Sequence, residues 1–164
     1  VDILATLTLD GATATVRRAT GDDLPAIVGL LVDDPIGVTR ESGPDEPAYR
    51  AAFERVDADP GQLLVVAAIG DDVVATLQLS FIPGLSRRGA LRAQVEGVRV
   101  RADLRSAGLG TALMTWAVDE ARDRGCALVQ LTTDKGRTDA RRFYERLGFV
   151  ASHEGMKLSL PEPS

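Results

Sequence analysis

The sequence predicts one α/β domain over residues 1–164, and three observations predict it. Short apolar runs suited to strands are interleaved with four stretches that place apolar residues at helical spacing. Two of the runs, 63–69 and 73–82, are joined by Gly70, Asp71 and Asp72, a hairpin signal. Residues 95–132 then read as strand, helix and strand, a unit that makes parallel strands. A chain of 164 residues buries a core without covalent staples, and no internal repeat marks a second domain.

The elements follow in order. Residues 1–12 read as an extra strand or an extension, and 14–18 as a strand. Thr20 suits a helix N-cap with Asp23 three residues on, and Leu24, Ile27, Leu30 and Leu31 share the face of the helix that follows. Residues 33–47 carry prolines, glycines and acids and form a long loop, the kind that often serves function. Tyr49, Phe53 and Val56 mark the second helix, which Pro60 and Gly61 end. The run 63–69 is continuously apolar and reads as buried, 73–82 returns beside it, and 89–100 continues the sheet antiparallel to 73–82. Leu109, Ala112, Leu113, Trp116, Ala117 and Ala121 line one face of a helix over 108–124, with Trp116 as its core anchor and Gly125 as its stop. Residues 127–132 form the next strand. Thr138 caps a last helix with Ala140, Phe143, Tyr144 and Leu147 on one face, Gly148 ends it, and residues 149–150 and 156–160 complete the sheet.

Composition narrows the function. The lone Cys126 makes no internal disulfide, and with His153 as the single histidine no spacing suits a metal site. Cys126 opens a buried strand with no base near it in sequence, so it reads as core; His153 reads as a surface or packing residue, or as lining the acceptor site. A net charge of −5 argues against nucleic acid as a partner and mildly favours cationic ones. No stretch reads as a signal peptide or a membrane span, so the cytoplasm is the expected compartment. Richness in Ala, Gly, Asp and Arg points to a GC-rich bacterial genome.

The sharpest local signal is Arg105, Ser106, Ala107, Gly108, Leu109 and Gly110, where a strand has ended and a helix begins. Free backbone N–H groups and the helix dipole make such a turn a site for anions, glycine lets an anion approach the backbone, and Arg105 adds a guanidinium. The plainer reading is that the glycines turn the chain and Arg105 is solvated. Arg87, Arg88, Arg92, Arg99 and Arg101 surround the segment, offset by Glu96 and Asp103. They form a positive field or simply a solvated face. A Rossmann dinucleotide site needs a third glycine and an early place in the chain, and both are missing.

The run Arg105 to Gly110 resembles the R/Q-x-x-G-x-G/A signature of the GNAT superfamily of N-acetyltransferases. Phe143, Tyr144, Glu145, Arg146, Leu147, Gly148 and Phe149 resemble that family's F-Y-x-x-x-G-F, at matching order and separation. The resemblance covers about residues 96–160. It implies a mixed, mostly antiparallel twisted sheet of six to seven strands flanked by about four helices. In it a parallel pair, near 98–100 and 128–132, splays apart. Acetyl-CoA would bind there as co-substrate, with no metal. The backbones of Val98, Arg99 and Val100 would hold its pantetheine arm, and Arg105, Ser106, Ala107, Gly108, Leu109, Gly110 and Thr111 its pyrophosphate. The family often has Asn where this chain has Arg137, which would reach a phosphate instead.

Transfer to an amine requires the neutral amine, and supplying it from a Lys-like ammonium at pH 7 costs about 4–5 kcal/mol. A carboxylate can take that proton. Glu96 stands nine residues before Arg105, where the resemblance places a catalytic Glu; the other reading pairs it with Arg99 or Arg92. Tyr144 is the resemblance's general acid for the leaving thiolate, and its place on an apolar face also suits plain core. A backbone N–H of Val98 would meet the charge on the acetyl oxygen.

Two functions follow. One is an enzyme acetylating the amine of a small molecule or a protein. The other is a non-catalytic acyl-CoA-binding sensor or regulatory module, which needs neither Glu96 nor Tyr144. A longer acyl group and a homodimer stay open. Asp33, Asp34, Glu41, Asp45 and Glu46 either attract a cationic acceptor or are solvated loop charges.

Overall fold

The computed structural model describes residues 2–34, 37–43 and 47–161, in two compact units, Val1–Leu131 and Thr132–Ser164. Asp45 and Glu46 lie outside the described residues.

The first unit is built on a six-stranded sheet in chain order: β1 (Ile3–Leu9), β2 (Ala12–Arg18), β3 (Gln62–Ile69), β4 (Asp72–Ile82), β5 (Arg92–Val100) and β6 (Leu128–Gln130). All neighbours are antiparallel except β5 and β6, which are parallel. The N-terminal extension is a full strand. Asp10 and Gly11 close a two-residue hairpin with Gly11 at φ 81°, and Leu9 pairs Ala12. That turn needs positive φ, which glycine supplies at no steric cost.

Side chains alternate across the sheet, so each strand presents two faces. Leu63, Val65 and Ala67 of β3 share one face with Leu79, Leu77 and Ala75, their partners on β4, and all six are fully buried. Helix α3 (Leu109–Asp123) lies against β1, β4, β5 and β6 and buries Leu109, Leu113, Met114, Ala117 and Ala121. Trp116 is half-buried, so the helix turns Leu113 and Met114, rather than Trp116, into the core.

On the other face, Val66 packs with Ala19 and Ile27, ringed by Leu31, Phe53, Leu64 and Val73. Ile27 and Leu31 come from α1 (Leu24–Val32), and Phe53 from α2 (Pro47–Ala58). The entry to α1 is tied to β2. Asp23 accepts from Thr20 N–H at 2.7 Å and from both guanidinium nitrogens of Arg17 at 2.7 Å each. Burial pushes the Asp23 carboxyl up, but Arg17 and Thr20 outweigh it and hold the group below the usual carboxylate range.

Two irregularities shape β5. Thr76 pairs Arg99 and Gln78 pairs Glu96, so Gly97 and Val98 together face Leu77. This is a bulge, and Gly97 takes the left-handed φ of 60° it requires. On the other side, β6 pairs β5 only from Arg92 to Gln94. Among the described residues of the first unit no strand pairs the remainder of β5 on that side, so the parallel pair parts there as the resemblance implied.

The second unit holds α4 (Thr138–Arg146), whose N-cap is Arg137, so Thr138 is its first residue rather than its cap. Gly148, at φ 95°, follows its end as expected. The strands expected at 149–150 and 156–160 are not formed. A strand exists through its ladder of backbone bonds, and no strand pairing is present there. Val150, Met156, Leu158 and Leu160 are exposed.

Candidate active site

The site grows from one row of polar residues. Gln62 on β3 pairs Ser80 on β4, Ser80 pairs Gln94 on β5, and Gln94 pairs Gln130 on β6. Register thus lines four polar side chains on one face, across four strands. In the next row Gln78 pairs Glu96. The groups bond to one another along this band. Gln78 Nε2 donates to Gln62 Oε1 at 2.8 Å, and Ser80 Oγ donates to the same oxygen at 2.7 Å. Gln130 Nε2 donates to Gln94 Oε1 at 2.8 Å, and Gln94 Nε2 donates to Glu96 Oε1 at 2.5 Å. The Glu96 carboxylate is therefore oriented by an amide relay rather than neutralised by an arginine.

A pocket of about 450 Å³ opens over this band. Gln62, Gln78, Ser80 and Glu96 form its floor, and Ala52, Arg55, Val56 and Asp59 its wall. The wall residues fall at i, i+3, i+4 and i+7, one stripe running from α2 into the turn after it. The volume suits a small molecule. Sequence reading named Glu96 but missed Gln62, Gln78, Ser80, Arg55 and Asp59 as site residues. The alternation of Gln78 and Ser80 with buried Leu77 and Leu79 was the available signal.

Glu96 makes no ion pair among the described residues, so the expected alternative, pairing with Arg99 or Arg92, does not hold. Arg99 turns instead to Asp34, with Nε 3.3 Å from Oδ2, and donates from Nη1 to the Val98 carbonyl at 2.8 Å. Arg105 donates from Nε to the Val100 carbonyl at 3.0 Å and from Nη2 to the Asp33 carbonyl at 2.9 Å. Arg101 pairs with Asp103 at 2.7 Å. Asp33, Asp34 and Asp103 thus meet three of the arginines, Arg105, Arg99 and Arg101, whereas Arg87, Arg88 and Arg92 are exposed. The two loop aspartates differ: Asp33 is an exposed loop charge with its carboxylate 3.6 Å from Arg105. Asp34 is buried against Arg99, and Glu41 accepts from the Tyr49 hydroxyl at 2.7 Å.

Between β5 and α3 the chain makes a short turn at Ala102–Leu104 and an exposed loop. Ser106 has φ 76° and Gly108, the N-cap of α3, φ 84°. Left-handed backbone at a non-glycine residue is strained, and here it bends the loop at the helix entrance. Gly108 and Thr111 are exposed and Gly110 half-buried, so the first-turn N–H groups face outward. Leu109 is fully buried and can offer an anion only its backbone. Cys126 is half-buried rather than core. Burial pushes its thiol pKa up, against the pull of Arg124, which makes it a poor nucleophile.

In the second unit, Tyr144 stacks edge-on with Phe143 at 5.2 Å and with Phe149 at 5.9 Å between ring centroids. Arg137 caps α4, and its backbone N–H donates to the Asp134 carbonyl at 2.9 Å. His153 is exposed, its Nδ1 2.7 Å from Ser152 Oγ.

Residues 25–149, spanning both signatures, match the acetyltransferase (GNAT) family. The chain belongs to that family. As a GNAT N-acetyltransferase it is 28% identical over 138 residues to an aminoalkylphosphonate N-acetyltransferase of Salmonella typhimurium, covering 84% of this chain and 86% of that one. A solved transcriptional regulator from Bacillus halodurans superposes with a TM-score of 0.87 at 46% identity, over 90% of this chain and 99% of the other. A predicted acetyltransferase from Clostridium acetobutylicum, solved with acetyl-CoA, shares the fold at a TM-score of 0.71 and 20% identity, over 89% of this chain and 96% of that one. Among the described residues, no helix of this acetyltransferase is long and apolar enough to cross a membrane.

Proposed function

We propose that this N-acetyltransferase moves the acetyl group of acetyl-CoA directly to the primary amine of a small molecule. Residues 1–164 would act as one domain, in the cytoplasm. The observation that carries the reading is Glu96, a carboxylate with no ion pair, oriented by Gln94, in the floor of a polar pocket on the strand that parts from β6. A small-molecule acceptor fits the pocket volume, and the Salmonella relative is named for a small amine.

The chain also fits the acyl donor. Past Gln94 no strand among the described residues of the first unit pairs the outer edge of β5, so Val98, Arg99 and Val100 would offer their backbone to a pantetheine arm in the manner of an added strand. The exposed loop of Arg105, Ser106, Ala107, Gly108, Leu109, Gly110 and Thr111 presents helix-start amides suited to a pyrophosphate. Arg105 would join them by exchanging its carbonyl partners for phosphate, and Arg137 is a second candidate. Acetyl-CoA supplies an acyl carbon activated as a thioester. Glu96 takes the proton shed by the amine as the C–N bond forms. Tyr144 gives its phenolic proton to the sulfur as the C–S bond breaks, and Val98 N–H meets charge on the acetyl oxygen.

The test is free-thiol release from acetyl-CoA with a panel of amines, in wild type and Glu96→Gln. Wild type should release thiol with at least one small amine, and the variant should need a higher pH for the same rate. An unchanged pH profile removes Glu96 as the base. A second reading is a non-catalytic acyl-CoA sensor, favoured by the Bacillus relative, which is called a transcriptional regulator. Tight CoA binding with no thiol release from any amine would select it.

A further inference from the structure

We propose that Arg55 makes the pocket selective for short amines that also carry an oxyanion, a carboxylate or a phosphate. The amine end of this inference rests on the acetyl-transfer reading; the oxyanion end rests on the pocket alone.

The pocket is polarised. At its β5 side stands Glu96, an acceptor held by Gln94. At its β3 side the donors gather. Gln62 Oε1 is already occupied by Gln78 Nε2 and Ser80 Oγ, which leaves the Gln62 amide nitrogen as the group for a ligand. Arg55 stands on the wall above and is the one cation among the lining residues. It has no hydrogen bond or ion pair among the described residues, as is also true of exposed Arg40, Arg50, Arg87, Arg88 and Arg92, but of these it alone lines the pocket. Asp59 is four residues on and would be its natural partner, yet Asp59 Oδ1 accepts from Gly61 N–H at 2.8 Å. The guanidinium fork is thus left for a ligand, and its planar donors match carboxylate and phosphate oxygens.

Gln62 and Glu96 lie two strands apart, about 10 Å between backbones. Both residues, and Arg55 from the wall, line the one pocket that opens over β4 between them. What remains suits a short acceptor with an ammonium at one end and an oxyanion at the other. Asp59 is the one wall charge opposed to an anion, so neutralising it should improve the fit.

Three acceptors of similar length test this: 3-aminopropyl phosphate, 4-aminobutyrate and the neutral 4-amino-1-butanol. In wild type the two anionic amines should show kcat/KM about tenfold or more above the neutral one, the weight of one charge-assisted bond. Arg55→Gln should abolish that preference through KM, lowering kcat/KM for the anionic pair about tenfold more than for 4-amino-1-butanol. Arg55→Lys should restore part of it, and Asp59→Asn should lower KM for the anionic pair. Equal rates for all three acceptors, or an equal loss for all three in Arg55→Gln, overturn the proposal while leaving acetyl transfer standing. Calorimetric binding of 3-aminopropyl phosphate in the presence of CoA gives a readout independent of turnover. Binding lost in Arg55→Gln supports the oxyanion site whether or not thiol is released, whereas no binding to wild type overturns it. Arg55 is exposed, so melting curves should show both substitutions folded.

Discussion

Replacing Asp23 with alanine should cost about 4 kcal/mol at pH 7, because it removes one side of a largely buried ion pair. The Asp23 side chain is 8% exposed and that of Arg17 18%. Asp23 accepts two guanidinium bonds and the Thr20 N–H, each at 2.7 Å. Without it Arg17 keeps a buried charge with no counterpart, a loss of about 3–5 kcal/mol, and the helix entry loses a cap bond of about 1 kcal/mol. The two losses overlap and do not simply add. For a domain of this size the change lowers Tm by roughly 8–16 °C. Urea and thermal melts by circular dichroism measure it, with Arg17→Met/Asp23→Leu as the companion, which should recover most of the stability. A single-variant loss under about 1 kcal/mol, or a double variant no better than the single, refutes the reasoning. The pH dependence has a definite sign. The folded carboxyl lies below its ordinary value of about 4, so the pair contributes fully above that value and loses its contribution as pH falls through the lowered one. The gap between wild type and Asp23→Ala should therefore shrink in acid. The same helix ends at Asp33 and Asp34, which hold Arg105 and Arg99, so the variant should also bind CoA more weakly.

Two further predictions concern the chemistry. Tyr144→Phe keeps both edge-on aromatic contacts, while turnover should fall by about 10²-fold or more with CoA affinity spared; an unchanged rate removes Tyr144 as the acid. Gln94→Leu removes the bond that aims Glu96, and kcat/KM should fall about tenfold with a shift in the pH–rate profile. A fall in rate without any shift would make Gln94 a purely structural residue.

Much of the architecture is legible locally. Thr20 and Asp23, Gly70, Gly125 and Gly148 each mark a boundary where the structure places one, because caps and turns depend on φ and on bonds within a few residues. Residues 1–12, read only as an extra strand or an extension, form β1, which turns at Asp10 and Gly11 and pairs β2 with one register shift between Ile3 and Ala5. Local pattern misled in two places. Residues 156–160 have strand alternation but no partner, and pattern alone does not pair a strand. Trp116 is the largest residue on its helical face, yet the face is centred elsewhere, which depends on how the helix meets the sheet.

The sequence by itself determined the family, the order of strands and helices as far as the last helix, the loop from Arg105 to Gly110 and the candidacy of Glu96 and Tyr144. Each of these is a matter of nearby residues or of a motif at fixed spacing. Only the tertiary structure decided what surrounds them. Strand register brought Gln62, Ser80, Gln94 and Gln130 into one row and set Gln78 opposite Glu96, though these residues are spread over 69 positions. Folding also closed Asp33 and Asp34 onto Arg105 and Arg99, turning a presumed charge field into paired contacts. The physical reason is that backbone hydrogen bonds and core burial fix which distant residues become neighbours, and side-chain chemistry at a site depends on those neighbours.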